Sequence, residues 1–197
     1  MSSTVIYTFT ADGFCSGEMA EIRNAWRGAM AVWRTLEKKY LPPYRPCYVP
    51  KDISDDMLES YCGYVPTRLS AIDQEVTKDI WNLYDRNDVS MIDRIVIGTT
   101  FDHVMVKRED VPRVIEAFEA FEGDTNLKEQ AEALRELLKD VEHVAFAWNQ
   151  TSVNAGEWMH SGIFDGEDEL PYNFKTQDRH FWLFDDLDKT TEAQHEK

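Results

Sequence analysis

The sequence has few cysteines and none of the glycine patterns that bind common cofactors. Its three cysteines are odd in number and form no CxxC pairs, which argues against a zinc set and against a secreted disulfide framework. No Walker or dinucleotide-binding glycine motif occurs. The five histidines lack HExxH spacing, and His143 alternates with apolar residues as a structural side chain does. We therefore expect no metal and no cofactor.

Long apolar runs are also missing. No stretch approaches the roughly 20 apolar residues that a membrane span requires. The first residues contain neither the basic region nor the apolar region of a secretory signal. We therefore expect a cytoplasmic protein with no membrane partner. The 197 residues suit one domain.

Basic residues are scarce, with 21 Lys and Arg against 37 Asp and Glu and a net charge of −16. A protein that binds phosphates normally presents a basic surface, so direct binding to nucleic acid is not expected. The imbalance is uneven along the chain. Residues 1–51 hold four acids and seven bases, which leaves 33 acids and 14 bases in residues 52–197. The acidic remainder favours a basic protein as partner.

The first elements are predicted from apolar periodicity. Residues 5–10 are rich in β-branched and aromatic side chains and stop at a turn signal, Asp12-Gly13, so they predict a strand. A long helix is predicted next, because the apolar residues from Met19 to Tyr40 fall within about 120° of arc. Pro42 ends this helix.

The remaining elements are predicted in the same way. Residues 42–90 contain a proline-rich connector and short helices, and we interpret them as a helical insertion. The β-rich runs 92–98 and 103–107 predict a hairpin. Helices are predicted from 110 and from 127, and strands at 141–148 and 179–184. The segment between the last two strands predicts no regular structure.

This order of elements indicates an α+β fold, in which a mainly antiparallel sheet has helices packed on one face. A ferredoxin-like core with the helical insertion at about 42–90 is our specific prediction. Residues 1–184 would form the single domain, and residues 185–197 a frayed acidic tail.

Cys15 is the candidate catalytic residue. It lies between two glycines at the predicted N-terminus of the long helix, where the helix dipole and free N–H groups would lower the pKa of a thiol. No CxxC partner and no phosphatase-type arginine accompany it. A small residue in a tight loop is the plainer interpretation.

Basic residues along the same predicted helix form a candidate anion-binding ridge, since they fall within about 60° of each other at helical spacing. The alternative is that they pair with acidic residues of the same chain. The ridge consists of Arg23, Arg27, Arg34 and Lys38.

The acidic segment near the C-terminus is the candidate partner-binding surface, with exposed aromatic residues among its carboxylates. A calcium loop would need glycine where Leu170 stands, so a calcium site is not expected. The predicted contact residues are Asp165, Glu167, Asp168, Glu169, Trp158 and Tyr172.

Two hypotheses remain open. In the first, the chain is an acidic binding module or inhibitor that docks on a basic surface of another protein, as an immunity or viral counter-defence protein does, and a nucleic-acid-binding surface is one such surface. In the second, it is a small cysteine-dependent enzyme or an anion-binding protein that uses Cys15. The missing catalytic signature favours the first.

Overall fold

The computed structural model describes residues 2–70, 74–151, 153 and 158–195. They form an α+β fold with a five-stranded sheet of order β2-β1-β4-β3-β7 and a separate hairpin, β5-β6. All neighbouring strands are antiparallel except β3 and β7, which run parallel. The strands are β1 (Ser3–Phe9), β2 (Cys15–Arg23), β3 (Val104–Lys107), β4 (Ala145–Gln150), β5 (His160–Asp165), β6 (Asp168–Pro171) and β7 (Phe181–Trp182).

The helices lie between and after the strands of the main sheet. Short 3₁₀ turns flank α2 and α3. None of the helices in the described ranges is both long and apolar enough to cross a membrane. The helices are α1 (Ala29–Tyr40), α2 (Leu58–Cys62), α3 (Lys78–Trp81), α4 (Met91–Gly98), α5 (Val111–Ala120), α6 (Leu127–Leu137) and α7 (Leu183–His195).

The two faces of the sheet are covered differently. Alternate residues of a strand point to opposite faces, so Ile6 and Phe146 pack under the helices in the main hydrophobic cluster. Tyr7 and Phe9 face the other way and pack against Trp158 in a second cluster. Each fully buried side chain of this kind stabilises the fold by about 1.5–3 kcal/mol. The helices therefore pack on one face, as predicted, and the chain after β4 covers the other.

The predicted long helix from Met19 to Tyr40 is wrong in its first half. Residues up to Arg23 form β2, and α1 begins only at Ala29. Ala20 and Ile22 are half-buried in β2 while their neighbours are exposed, which is the two-residue period of a strand.

The predicted hairpin at 92–107 is wrong in its first strand, because Met91–Gly98 is helix α4. Ser90 caps this helix, since its Oγ accepts a hydrogen bond from the backbone N–H of Asp93 at 3.2 Å. The helix is buried on several sides, with Ile95, Val96 and Ile97 all enclosed. The run of β-branched residues at 95–97 is short and apolar, so it suits a buried strand as well as a buried helix.

The order of helices and strands along the chain differs from that of a ferredoxin-like core. That core has the order β-α-β-β-α-β, whereas β1 and β2 here are joined directly as a hairpin. Residues 42–90, where the sequence predicts a helical insertion, contain α2, α3 and 3₁₀ turns and, in their described part, no strand. Residues 71–73, at the start of its second predicted helix, lie outside the described residues.

The C-terminal segment is more regular than the sequence predicts. The stretch after β4 contains the hairpin β5-β6, which sequence reasoning missed. Residues 185–195 of the predicted frayed tail lie in helix α7, and residues 196–197 lie outside the described residues. Leu183 and Leu187 of this helix are fully buried in the main cluster, so the apolar spacing i, i+4 explains the helix.

Candidate functional site

Cys15 lies in strand β2, where it pairs with Phe9 of β1. The predicted position at a helix N-terminus is wrong, because α1 begins 14 residues later at Ala29. The Cys15 side chain is half-buried against the second hydrophobic cluster. The helix dipole that would activate a thiol is not at this position. The hypothesis of a cysteine-dependent enzyme loses its physical basis.

The four basic residues predicted as one ridge are spread over three elements. Arg23 ends β2, and Arg27 lies in the following loop, where it pairs with Glu129 at 2.8 Å. Only Arg34 and Lys38 lie on α1, one turn apart and both exposed. The predicted anion-binding ridge is therefore reduced to two residues.

Arg34 and Lys38 line a pocket of about 500 Å³ between α1 and the residue range 41–67. Asp55, Asp56 and Glu59 line the same pocket, so it has no single sign of charge. An anion-specific site is not favoured by this mixture. The apolar wall consists of Leu41, Pro42, Pro43, Tyr44, Leu58, Val65 and Pro66.

Glu37 also lines this pocket, and it forms a buried ion pair with Arg68. Its Oε1 accepts hydrogen bonds from the backbone N–H and from Nη1 of Arg68, at 2.8 and 3.2 Å. Its Oε2 is buried and makes no hydrogen bond to a described residue. Because this oxygen is closed to solvent, a molecule in the pocket would not reach it. The pocket indicates no particular class of ligand.

The hairpin β5-β6, residues 160–171, is the most exposed regular structure of the described chain, and we call it the arm. Almost every residue in both strands is exposed. A loop of two residues joins the strands, and Gly166 at its first position has the positive φ of 66° that a type II′ turn requires. The arm carries the exposed apolar side chains Ile163, Phe164 and Leu170.

The tip of the arm is acidic. Asp165 and Asp168 form the last pair of the hairpin, and Glu167 lies in its loop. All three side chains are exposed. None of them forms an ion pair with another residue that the structure describes. Their charge is therefore exposed to solvent, and their predicted place on a binding surface stays a prediction.

Glu169 differs from the three tip residues because its carboxylate holds the arm together. Oε1 accepts a hydrogen bond from the backbone N–H of Gly162 at 2.7 Å, and Oε2 lies 2.8 Å from Nδ1 of His160. Both contacts lower the pKa of Glu169, and the hydrogen bond from the Gly162 backbone has the larger effect. Glu169 is thus engaged within the hairpin.

Trp158 and Tyr172, predicted as exposed contact residues, are buried. They stand at the two ends of the arm and are 2% and 1% exposed. Both pack edge-on against Phe9, with ring centroids at 5.8 and 6.3 Å. The prediction that they contact a partner is corrected accordingly. They anchor the arm on the second face of the sheet.

Two histidines extend this anchor. Nδ1 of His180 lies 2.7 Å from the hydroxyl oxygen of Tyr172, and the ring of His103 packs edge-on against Trp158. Burial lowers the pKa of both histidines, and the positive charge of Arg179 lowers that of His103 further. Burial also raises the pKa of Tyr172 to about 12. The anchor is therefore built from uncharged rings at neutral pH.

Trp26 is a further exposed aromatic residue. The sequence places it on the buried stripe of the predicted helix, but it lies in the loop before α1 and is 91% exposed. Its φ of 71° is rare for a bulky residue. Exposed tryptophans are common centres of protein interfaces. Trp26 is thus a second possible contact point for a partner.

One group of described side chains could hold a metal ion. Glu18, Asp140 and His143 each offer one ligand atom, and these atoms lie within 4.8 Å of one another. Sequence reasoning did not find this group, because Glu18 comes from β2 and the other two follow α6. The spacing Asp-x-x-His at 140–143 is its only local signal, and it is weak.

Comparison with known proteins gives no relative: no protein-family model, no curated protein and no solved structure matches the chain.

Proposed function

We propose that this chain is a protein-binding module whose arm docks on a basic surface of another protein. The observation that carries the proposal is the combination, on one projecting hairpin, of exposed apolar side chains and unpaired carboxylates. Phe164 is 61% exposed, next to Asp165 at the tip. Exposed apolar side chains and exposed carboxylates do not stabilise the fold of the free protein, whereas both contribute to binding at a protein interface.

The apolar residues of the arm would supply most of the affinity. Aromatic side chains dominate the energetics of interfaces when they are fully desolvated by the partner. Ile163, Phe164 and Leu170 keep much of their surface in water in the free protein. Covering them with a partner would contribute a favourable free energy of about 25 cal/mol per Å² of apolar surface removed from water.

The carboxylates would supply orientation and speed of association. Asp165, Glu167 and Asp168 form no ion pair with any residue of the described ranges, and the 146 residues from 52 to 197 carry 33 acids against 14 bases. Such a field steers a basic partner and disfavours acidic ones. A nucleic-acid-binding surface is one basic surface of this kind, because carboxylates on the arm would take the places of phosphates. In that case the chain would act as an inhibitor.

The rigid anchor favours the same function. Trp158 and Tyr172 fix both ends of the arm on the sheet, so the hairpin loses little further entropy when it binds. Glu169 ties the two strands together through Gly162 and His160. A preorganised arm binds more tightly than a disordered segment of the same composition.

The test compares two triple charge reversals with the same change in net charge. Asp165→Lys, Glu167→Lys and Asp168→Lys alter the tip of the arm. Glu116→Lys, Glu122→Lys and Glu132→Lys alter exposed acids on and beside α5 and α6. Partners captured from the native cell with a photocrosslinker at residue 164 are purified, and their affinity for each variant is measured.

We expect the arm variant to bind at least tenfold more weakly and the helix variant to retain most of its affinity. Phe164→Ala should weaken binding by a similar factor without changing the dependence on salt. If both triple variants weaken binding equally, only net charge matters and the arm is not the site. If Trp26→Ala abolishes binding while Phe164→Ala does not, the loop before α1 is the site instead.

A competition assay addresses the inhibitor part of the proposal. The wild-type chain should displace a labelled oligonucleotide from a partner that binds nucleic acid, and the arm variant should not. Partners that bind the arm but have no nucleic-acid-binding surface would contradict the inhibitor role and leave the arm as a docking element.

A further inference from the structure

The turn between α6 and β4 brings two side chains toward the end of β2. Asp140 and His143 lie in this turn, and Glu18 lies in β2 opposite them. His143 Nε2 is 3.2 Å from Glu18 Oε2 and 3.7 Å from Asp140 Oδ2. The three residues come from chain segments more than 100 residues apart, so the fold alone creates the cluster.

The imidazole of His143 has a fixed orientation. Its side chain is 2% exposed, and Nδ1 lies 2.9 Å from the backbone carbonyl oxygen of Leu137. A carbonyl oxygen only accepts hydrogen bonds, so Nδ1 carries a proton and Nε2 is directed away from Leu137, toward Glu18 and Asp140. Metal-binding histidines are oriented by the same kind of contact from the other ring nitrogen.

Nε2 faces two carboxylate oxygens, one from Glu18 and one from Asp140. Three atoms of kinds that bind metal ions therefore lie within 4.8 Å of one another. The two carboxylates repel each other unless a positive charge lies beside them, and either a proton on Nε2 or a metal ion supplies that charge. The titration described below distinguishes the two.

The separations suit a metal ion. Ligand atoms at about 2.0–2.2 Å from zinc, at a tetrahedral angle, lie about 3.3–3.6 Å apart. The distances of 3.2 and 3.7 Å from Nε2 to the two carboxylates bracket this range. The side chains of Glu18 and Asp140 are 56% and 44% exposed, so they can make the small adjustment that remains.

The surroundings hold the ligands in place. The second oxygen of Asp140, Oδ1, accepts a hydrogen bond from the backbone N–H of Glu142 at 2.9 Å. Arg108 donates through Nη1 to the carbonyl oxygens of Asp140 and His143, at 2.6 and 2.9 Å. These contacts fix the turn and leave Asp140 Oδ2 directed at the cluster.

We propose that Glu18, Asp140 and His143 bind a divalent transition metal ion, with Zn²⁺ as the reference case, at the junction of β2 and the α6–β4 turn. Imidazole with two carboxylates suits Zn²⁺, Mn²⁺ and Fe²⁺ and does not suit the soft ions that prefer thiolates. Three protein ligands leave one position for water. The metal would link β2 to the α6–β4 turn and so stabilise the contact between them.

The experiment titrates Zn²⁺, and Co²⁺ as a spectroscopic probe, into the full-length protein after treatment with a chelator. We expect one equivalent of Zn²⁺ in calorimetry, visible d–d bands with Co²⁺, and a rise in Tm on binding. Glu18→Gln and Asp140→Asn should each weaken binding at least tenfold, and His143→Gln should abolish it.

His160→Gln is the matched control. His160 forms another His–Glu contact, with Glu169 at 2.8 Å, but it lies on the exposed arm without a third ligand in the described part of the chain. Its substitution should leave the affinity for Zn²⁺ unchanged. Glu18→Gln and Asp140→Asn alter exposed side chains, so they keep the test decisive if His143→Gln fails to fold.

Absence of saturable Zn²⁺ binding by the wild type would overturn the proposal and indicate an imidazolium paired with carboxylates. Binding that Glu18→Gln and Asp140→Asn leave unchanged would overturn it as well. Because the arm is not part of this cluster, neither result affects the test of partner binding.

Discussion

The indole N–H of Trp158 donates a hydrogen bond of 3.0 Å to the backbone carbonyl oxygen of Trp148. Trp148 packs on the helical face of the sheet, and Trp158 covers the opposite face. Strand β4 is thus held from both sides by tryptophans, and the second one fixes the start of the arm. The contact links the stability of the sheet to the position of the proposed docking element.

Trp158→Ala should destabilise the protein by about 3–5 kcal/mol, because it removes a large buried side chain and leaves a cavity. Phe164→Ala, on the exposed arm, should change the free energy of unfolding by less than about 0.5 kcal/mol. Urea unfolding monitored by circular dichroism measures both. Equal effects of the two substitutions would mean that Trp158 does not anchor the arm as described.

Acidification should weaken the anchor. Burial lowers the pKa of His180 and His103, so both are neutral when folded, while in the unfolded chain they bind protons below about pH 6.5. The unfolded state then holds more protons, and stability falls as the pH drops through 6.5 toward the folded pKa values. Urea midpoints at pH 7.5 and 5.5 should differ accordingly.

The double variant His180→Phe, His103→Asn provides the comparison for this pH effect. Asn also tolerates the positive φ of 62° at position 103. The variant should be less stable at pH 7.5, because Tyr172 loses its partner, but its midpoint should depend less on pH. A pH dependence as steep as that of the wild type would place the responsible groups elsewhere.

Asp93 should be important for stability. Burial alone would raise its pKa, but hydrogen bonds from Lys39, Tyr40 and Ser90 outweigh burial and lower it. The donors lie 2.7, 2.5 and 2.7 Å from Oδ2. Asp93→Ala should cost about 1.5–3 kcal/mol, because it removes a buried carboxylate that accepts three hydrogen bonds and frees Ser90, which caps α4.

Asp88→Ala is the control for Asp93, since Asp88 pairs with Arg86 on the surface. Exposed pairs of this kind contribute little, so we expect a far smaller loss of stability than for Asp93→Ala. Chemical unfolding of the two variants side by side gives the answer. Similar losses would show that the buried network around Asp93 contributes no more than a surface pair.

The sequence predicts those elements well whose apolar residues repeat on one face. Helices α5 and α6 lie where spacing and the proline at Pro112 place them. Strand β4 follows its apolar run, but it extends to Asn149 and Gln150, which are buried polar residues. Gln150 is satisfied by the backbone of Ala29 and Thr99, contacts that no local pattern reveals.

The sequence mispredicts β2 and α4 because both the helical period and the strand period fit their apolar residues. Met19 and Ile22 suit a helical stripe, but Ala20 and Ile22 in fact alternate inward from β2. In helix α4 the consecutive buried residues Ile95, Val96 and Ile97 fit a strand as well as a helix, because a short β-branched run does not distinguish the two. Tertiary packing decides between the periods in both cases.

The candidate site was partly visible in the sequence. The acidic tip was found from composition, and the dipeptide Asp165-Gly166 is a hairpin signal that could have located the arm. The burial of Trp158 and Tyr172 could not be seen, because it depends on the far side of the sheet. The cluster around His143 joins distant segments and needed the fold.

Gly13 and Gly17 allow a last prediction that separates steric clash from backbone strain. Both have positive φ, 96° and 82°, so an added Cβ strains each of them. At Gly13 that Cβ would also stand 2.3 Å from Oδ1 of Asn173, whereas at Gly17 it meets nothing within 4 Å. Gly13→Ala should therefore cost about 1–3 kcal/mol more stability than Gly17→Ala.

The same clash should be visible in hydrogen exchange. Asn173 donates a hydrogen bond to the carbonyl oxygen of Asp12 at 3.1 Å, so its displacement would loosen the segment after the arm. Amide hydrogen exchange of Phe174, which donates to Gly13, should therefore rise in the Gly13 variant alone. Equal free energies of unfolding for the two variants would show that Asn173 yields without cost and that the turn and the arm are not coupled.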